Sequence, residues 1–467
     1  MPNRSIVVLG AGVAGMAAAL LLARDGHRVT VLERDELAVG PPEDAPGWER
    51  QGIPHFRQPH AFIPRGRIEL MRSFPEVYEE VLAAGGHDVD VRPKLPGPPR
   101  AEDEDLQYLA ARRPLIEWAL RRAIGREPLI DCQGGAHPSG LVTHAGRVHG
   151  VRIGASSLPA DLVLDALGRR SPVGRWLSDS GHPNDPHETS DCGVVYYSRY
   201  YRQRPGFELP DGPWLLGPRG DLGYLGFTTF PGDNRTFAVL LAVPSGVPQW
   251  RAFKEAEVFE AAVARIPGLR AWVDPEGVDP ITGVMAMAGL RNSVRASAVL
   301  DVVGCIPVGD AYGHTDPVLA HGLAFGLIHA DALASALREQ GDVRDAQAAY
   351  LAATGPALRE RYELATALDD QRHRFWLGEP VDFAHHDGAY ALFSLIAGGA
   401  AAAVDAEVCR VFARRLGLLD STTVLDQDTE LQRRIETLFA ELRTVPRPPA
   451  GPTRDEMIAL TSGVVPS

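Results

Sequence analysis

Lysine is almost missing from this chain of 467 residues: it occurs only as Lys94 and Lys254, so nearly all of the 47 basic residues are arginine. A Walker-type phosphate loop needs a Gly-Lys pair to reach the outer phosphates. Lys94 follows Pro93 and Lys254 follows Phe253, so that loop is excluded, and a catalytic lysine has two candidates. Cysteine is scarce as well. Cys132, Cys192, Cys305 and Cys409 lie far apart with no Cys-x-x-Cys. That excludes a zinc ribbon or thioredoxin-like pair and reads as free thiols in a reducing cytosol. No residue spacing suits a metal, since His385 and His386 are adjacent and do not converge on one ion.

Long apolar runs are lacking too. Ile6–Ala23 is interrupted by Gly10, Gly12 and Gly15, and Arg24-Asp25 follows with no small-residue cleavage site. It reads as strand, turn and helix, not as a leader or membrane span. Acidic residues exceed basic ones by 60 to 47, for a net charge of −13, which argues against a nucleic-acid-binding face. What is present is ordinary for a globular enzyme: 45% hydrophobic and 23% charged residues. The expectation is a soluble, cytoplasmic protein.

Ser5–Leu9 is a short β-branched run suited to a buried parallel strand, Val13–Arg24 is Ala/Leu-rich and helical, and Arg28–Leu32 is a second strand. Residues 36–60 carry five prolines and read as a loop. Pro64–Ala84 and Ala111–Ile124 read as helices, Leu141–Ile153 as a hairpin and Asp161–Ala166 as a buried strand. Gly193–Tyr201, Tyr224–Phe230, Thr236–Val243 and Ile281–Ala288 are strand-like, with Pro231–Asn234 as a hairpin turn and Phe253–Ile266 as a helix. Val299–Val308 resumes a buried strand, and the chain from Gly322 through Leu442 is mostly helical. The fold class expected is α/β: a Rossmann-like domain (residues 1–185 with 295–375), an inserted antiparallel sheet (186–294) and a C-terminal helical region (376–467).

Three motifs carry chemistry. In Gly10-Ala-Gly12-Val13-Ala14-Gly15, Gly10 permits the turn and Gly12 lets a pyrophosphate approach the backbone. Gly15 lets helix and strand pack, and the helix start offers free N–H groups to phosphate. Glu33, followed by Arg34, ends the second strand, where a carboxylate can accept ribose hydroxyls. The second motif is Asp165-Ala-Leu-Gly168 with Arg169-Arg170-Ser171 behind it. In the third, Gly309-Asp310-Ala311 closes a strand, and Asp316-Pro317 and Gly322-Leu323 open helical structure. A carboxylate there, beside a helix N-terminus, suits a polyol and a polar ring.

In this order and spacing, over about residues 5–335, the motifs resemble the FAD-dependent aromatic hydroxylases and related flavoprotein monooxygenases. The resemblance implies that Gly10, Gly12, Val13, Ala14, Gly15, Glu33 and Arg34 hold the ADP half of FAD. It implies that Asp310 bonds the ribityl chain and that Pro317, Gly322 and Leu323 approach the flavin. Asp165 and Gly168 match the family's Asp-x-x-Gly motif, linked to FAD and transient NADPH binding. Ala111–Trp118 resembles its Arg-containing helix start, so Arg113 is expected at the flavin or pyrophosphate. Gly52-Ile-Pro-His-Phe-Arg-Gln-Pro-His60 resembles a segment of polyether epoxidases and halogenase-like members.

The activity so implied is insertion of one oxygen atom from O₂, by hydroxylation or epoxidation, through a flavin C4a-hydroperoxide. The substrate would be an apolar or aromatic small molecule of bacterial secondary metabolism. NADPH or NADH would supply electrons, directly or through a separate flavin reductase. Such chemistry belongs to the flavin, and no side-chain nucleophile is required. Substrate contacts are expected from the inserted sheet: Tyr196, Tyr224, Phe227 and the methionines Met285 and Met287, with His314 from the third motif. Four of the eleven tyrosines fall at 196, 197, 200 and 201, two per strand face, one face for the core and one for a cavity.

Departures from the pattern keep other readings open. After Gly-Asp-Ala, Gly313 and Asp316 stand where hydroxylases carry His and Pro, and Ala320-His-Gly322 replaces Gly-x-Gly. Gly-Asp-Ala…Asp-Pro…Gly looks more like flavin-dependent halogenases. Their paired-tryptophan motif is missing, however, because no two of the seven tryptophans stand two apart. A halogenase would also need a lysine relay, for which Lys94 is the candidate. A reductase or dehydrogenase without oxygen insertion, and a non-catalytic flavin-binding scaffold, are the remaining alternatives.

Overall fold

The computed structural model describes residues 3–182, 187–210, 216–295, 302–380, 390–421, 423–444 and 451–462. His385, His386, Trp214 and the start of the Val299–Val308 run lie outside the described residues.

The β-branched N-terminal run forms the strand Ser5–Leu9, the middle of a five-stranded parallel sheet. Its neighbours are Arg28–Leu32 on one side, backed by Ile130–Gln133, and Leu162–Asp165 on the other, backed by Cys305–Pro307. Helices Val13–Arg24, Arg113–Arg126 and Gly322–Glu339 cover one face and share a core with Ile6, Val8, Val31, Leu164 and Ile306. The other face packs Val7, Leu9 and Val163 against Leu141, Val148 and Val151 of a small three-stranded sheet. Strands covered on both faces read as unbroken apolar runs, which is what residues 6–9 and 162–164 show.

The middle of the chain forms a second, six-stranded sheet. Its central strands Val194–Gln203 and Thr236–Pro244 pair antiparallel from Val194↔Pro244 to Arg202↔Thr236. Gly226–Pro231 and Arg219–Asp221 extend it on one side. The turn after Pro231 is tight, with Asn234 and Arg235 both at positive φ (53° and 58°). That conformation matches the right-handed twist of the hairpin. Where the sequence suggests one strand at 281–288, two short ones form, Val278–Pro280 and Met285–Met287, each pairing with Val194–Gln203. Between them Thr282 bonds back to the strand's own backbone, with Oγ1 accepting from Tyr200 N.

Every residue of Thr236–Pro244 is buried, so this sheet is covered on both sides. One side packs on Phe253, Phe259, Val263, Trp250 and Trp272. The other faces the parallel-sheet domain and the helix Val343–Trp376. Two connecting strands, Glu188–Asp191 and Arg291–Val294, pair antiparallel and carry the chain into and out of the insertion. Gly313–His314 adds to their edge and places the third motif between the two sheets. Helices Ala406–Leu416 and Thr429–Thr444 pack with Ile63, Leu106 and Tyr108 in a separate apolar cluster. Among the described residues no helix is long and apolar enough to cross a membrane.

Candidate functional site

A cavity of about 540 Å³ runs from the first glycine turn to the inserted sheet. That is within the usual range of ligand pockets, roughly 300–1,000 Å³. At one end stand Gly10, Gly12, Val13, Ala14 and Gly15, with Glu33 and Arg34 beside them. Gly10 holds φ +100°, and a Cβ on it would lie 2.6 Å from the Ala166 carbonyl oxygen. A Cβ on Gly15 would lie 2.1 Å from the Gly10 carbonyl oxygen. Both positions exclude any side chain. Gly12 differs, because a Cβ there would meet no atom within 4 Å. Its glycine keeps open a space that the protein itself does not fill.

Two helices aim their N-termini at this cavity. Helix Val13–Arg24 starts from Gly12 and helix Gly322–Glu339 from His321. Neither has a side-chain cap or an acidic residue in its first turn. The first turn of a helix leaves N–H groups without intrahelical partners and concentrates positive partial charge. Two uncapped starts in one cavity fit a ligand that brings phosphates to one and polar ring atoms to the other. Asp310, whose carboxylate accepts no hydrogen bond from a described residue, lies between them, and Pro317 and Leu323 line the second start.

A cluster of donors in mid-cavity points the same way. His55 lies between Arg113, with Nη1 3.3 Å from its Nε2, and Arg169, whose Nη2 contacts its Nδ1. Guanidinium groups only donate, and a neutral imidazole offers one acceptor. Burial, with the fields of Arg113 and Arg169, drives the His55 pKa far below its ordinary value and keeps the ring uncharged. Two cations sharing one acceptor call for an anion. These residues therefore fit a dinucleotide whose pyrophosphate supplies that charge.

Glu33 is held more tightly than its motif alone implies. Its Oε2 accepts from Ala11 N at 2.8 Å and from Arg50 Nη2 at 2.7 Å, and its Oε1 accepts from Asp35 N at 3.1 Å. Oε1 retains one acceptor site for a ribose hydroxyl. Arg50 also donates to Asp35 Oδ2 at 2.7 Å and to Glu117 Oε2 at 2.5 Å. Burial works against the Arg50 charge, but Glu117, Glu33 and Asp35 outweigh it and raise its pKa. Nothing in the loop sequence around Trp48–Gln51 distinguishes this arginine, since its partners come from three separate segments.

Gly168 lines the cavity, but Asp165 does not. Asp165 is fully buried behind it, accepting from Arg295 Nη2 at 2.8 Å, Ser171 Oγ at 2.6 Å and Leu167 N at 3.2 Å. It fixes the turn that presents Gly168 and Arg169.

The substrate-contact candidates divide by strand register. Phe227 pairs with Leu241 and Leu241 with Tyr197, so all three point to the far face and the aromatic core there. Tyr224 stacks on Trp250 at 6.0 Å, and its hydroxyl donates to the Pro452 carbonyl at 2.6 Å. Tyr196 lies on the near face but is sealed: its hydroxyl donates to Asp316 Oδ1 at 2.6 Å. Met285 is two residues beyond Met287 and misses the cavity wall. These four expectations are therefore corrected. The near-face residues that do line the cavity are Met287 and Phe230, joined by His314 from the loop and by Gln58, His60 and Phe325. Both lysines are exposed, and neither lines the cavity. Among the described residues no group of His, Cys, Asp and Glu could hold a metal ion.

Comparison with known proteins agrees with this geometry. Residues 5–166 match the family model described as FAD dependent oxidoreductase. The chain is 26% identical over 452 residues to protein Rv3254 of Mycobacterium tuberculosis, covering 90% of each. It is 26% identical over 400 residues to kynurenine 3-monooxygenase of Stenotrophomonas maltophilia, covering 78% of each. Among solved structures it resembles PqsL, described as a probable FAD-dependent monooxygenase from Pseudomonas aeruginosa. There the TM-score is 0.57 at 16% identity, covering 81% of this chain and 99% of that one. The N-terminal part is an FAD-dependent oxidoreductase domain, and the fold built on it is that of the flavoprotein monooxygenases.

Proposed function

We propose that this FAD-dependent oxidoreductase is a monooxygenase acting on an apolar or aromatic small molecule held between its two sheets. The observation that carries the reading is the continuity of one cavity. It begins at the Gly10–Gly15 turn, passes the donor cluster of Arg113, His55 and Arg169, and ends at Phe230 and Met287 of the inserted sheet. FAD, when bound, supplies two-electron chemistry and activation of O₂. Overall, one oxygen atom enters the substrate and the other leaves as water, with two electrons and a hydride from NADPH or NADH and one proton from solvent.

The chain's own residues bind, orient and exclude water. Gly12, Val13 and Ala14 offer the helix start to phosphate, and Arg113 and Arg169 add charge. Asp310 and Glu33 Oε1 accept from hydroxyl groups, and Pro317, Gly322 and Leu323 form the wall against the ring. Phe230, Met287, Phe325 and Leu358 supply apolar surface that keeps the reacting end dry. A halogenase reading loses its support here, because Lys94 is exposed outside the cavity.

The test is direct. Purified protein should be yellow, release FAD on denaturation, and transfer label from isotopic O₂ into product in the presence of NADPH or NADH. Reduction of the flavin only after addition of a separate flavin reductase would place electron supply in a partner. Protein that cannot bind FAD, or product whose new oxygen comes from water, would overturn the proposal.

A further inference from the structure

Gln58, Pro59 and His60 line the cavity beside Phe230 and Met287. The His60 Nδ1 lies 2.7 Å from the Gln58 carbonyl oxygen. A carbonyl oxygen only accepts, so Nδ1 carries the ring proton and Nε2 bears a lone pair. Nε2 has no protein partner and faces the cavity. Burial first, then the charge of Arg113, pushes the His60 pKa down to about 3, so the ring is a neutral acceptor at physiological pH.

Gln58 is oriented with equal definition. Its Oε1 accepts from the Ser198 hydroxyl at 2.6 Å, and Ser198 is completely buried on the central strand Val194–Gln203. With the oxygen taken, the amide nitrogen is turned away from Ser198, and it has no protein partner. Gln58 itself is only 6% exposed. One rigid tripeptide, pinned to the inserted sheet, therefore presents an N–H donor and a lone-pair acceptor side by side. The surrounding wall is apolar: Phe230, Met287, Phe325 and Ala61.

We propose that Gln58 and His60 are specificity-determining residues that read one un-ionised hydroxyl on the substrate. The hydroxyl donates to His60 Nε2 and accepts from the Gln58 amide. This deepens the monooxygenase reading and rests on it for the word substrate. A neutral acceptor has nothing to offer a carboxylate oxygen, and an ether has no hydrogen to give it. Both analogues leave a buried polar group unpaired, which costs more than the lost bond itself. The pair thus selects a hydroxylated ring and discriminates against its ether and its acid.

The experiment uses the oxidised, FAD-loaded protein without reductant, so no turnover is involved. Affinities for naphthol, methoxynaphthalene and naphthoate are measured by calorimetry and by perturbation of the flavin absorbance. Naphthol is expected to bind at least about tenfold more tightly than either analogue. His60→Phe and Gln58→Leu should each erase most of that ratio while keeping FAD content and the near-ultraviolet circular dichroism of the parent. A merely structural role would weaken all three ligands together and leave the ratio intact. Equal affinities in the parent, no binding of naphthol, or a preference that survives both substitutions overturns the proposal. So does a loss of FAD in His60→Phe with the ratio unchanged, which would place His60 on the cofactor. Failure of the monooxygenase reading shows separately, as absence of labelled product, and leaves the affinity order standing.

Discussion

The Tyr196 hydroxyl donates to Asp316 Oδ1 at 2.6 Å, joining the central strand of the inserted sheet to the cavity loop 120 residues later. The same carboxylate caps the turn Pro317–Leu319 through Val318 N at 3.2 Å and accepts from Arg372 Nη2 at 2.5 Å. Asn292 accepts from Asp316 N at 2.6 Å and donates to Asp369 Oδ2 at 2.8 Å. Four segments are therefore tied at one buried acid directly behind the wall that carries Pro317.

Removing the hydroxyl in Tyr196→Phe leaves Asp316 one donor short in a dry site. The expected loss is about 1–3 kcal/mol of unfolding free energy, read from urea titrations. Hydrogen exchange should quicken first at Val318 and Leu319, whose turn the acid caps.

Asp369 supplies a pH dependence with a definite sign. Burial, reinforced by the neighbouring Asp316 charge, pushes its pKa up to about 9. The folded state then holds a proton that the unfolded chain releases near its ordinary carboxylate pKa of about 3.9. Stability from this group is therefore greatest below about pH 4 and falls as pH rises toward 9, with at most about 1.4 kcal/mol per pH unit at stake. Asp369→Asn should flatten that decline, so that denaturation midpoints at about pH 6 and about pH 8.5 lie closer together than in the parent. An unchanged difference would mean that Asp369 is ionised in the folded protein.

The first glycine turn separates folding from binding. Gly15→Ala puts a methyl 2.1 Å from a carbonyl oxygen and should abolish soluble, folded protein. Gly12→Ala meets no protein atom and should fold normally. Its methyl occupies the space left for pyrophosphate, so FAD affinity should fall by about tenfold or more. Fluorescence titration of apoprotein with FAD measures this.

Arg50 neutralises Glu33, Asp35 and Glu117 together. Arg50→Met strands three carboxylates, two of them deeply buried, and should cost about 3–5 kcal/mol. A compensating Glu117→Gln in the same chain should recover part of the loss, which thermal or urea unfolding of the double variant would show.

Much of the nucleotide half was legible before any coordinates. The constraints on Gly10, Gly12 and Gly15 act within a few residues of chain, and a strand–turn–helix sequence is local by nature. The substrate half was less legible. Strand residues 194–203 announced two faces, but only the pairing with Thr236–Pro244 and Met285–Met287 fixed which one meets the cavity. A shift of one residue exchanges the faces, and so Tyr224 and Phe227 fell to the core while Phe230 and Met287 reached the wall. Asp165 was legible as a motif member, but its partner Arg295, 130 residues away, turned it into a support for the turn.

The sequence by itself determined the dinucleotide turn, the alternation of the inserted sheet and the exclusion of a lysine-dependent phosphate loop. Each follows from backbone geometry or from the plain scarcity of a residue. Only the tertiary structure decided which of so many arginines matter. Arg50, Arg113, Arg169 and Arg372 have no local signature, because a guanidinium's role is set by the carboxylates and rings that folding brings within about 3 Å of it. The same holds for Gln58 and His60. Their side chains acquire a donor and an acceptor direction only when Ser198, 140 residues on, closes one end of the pair.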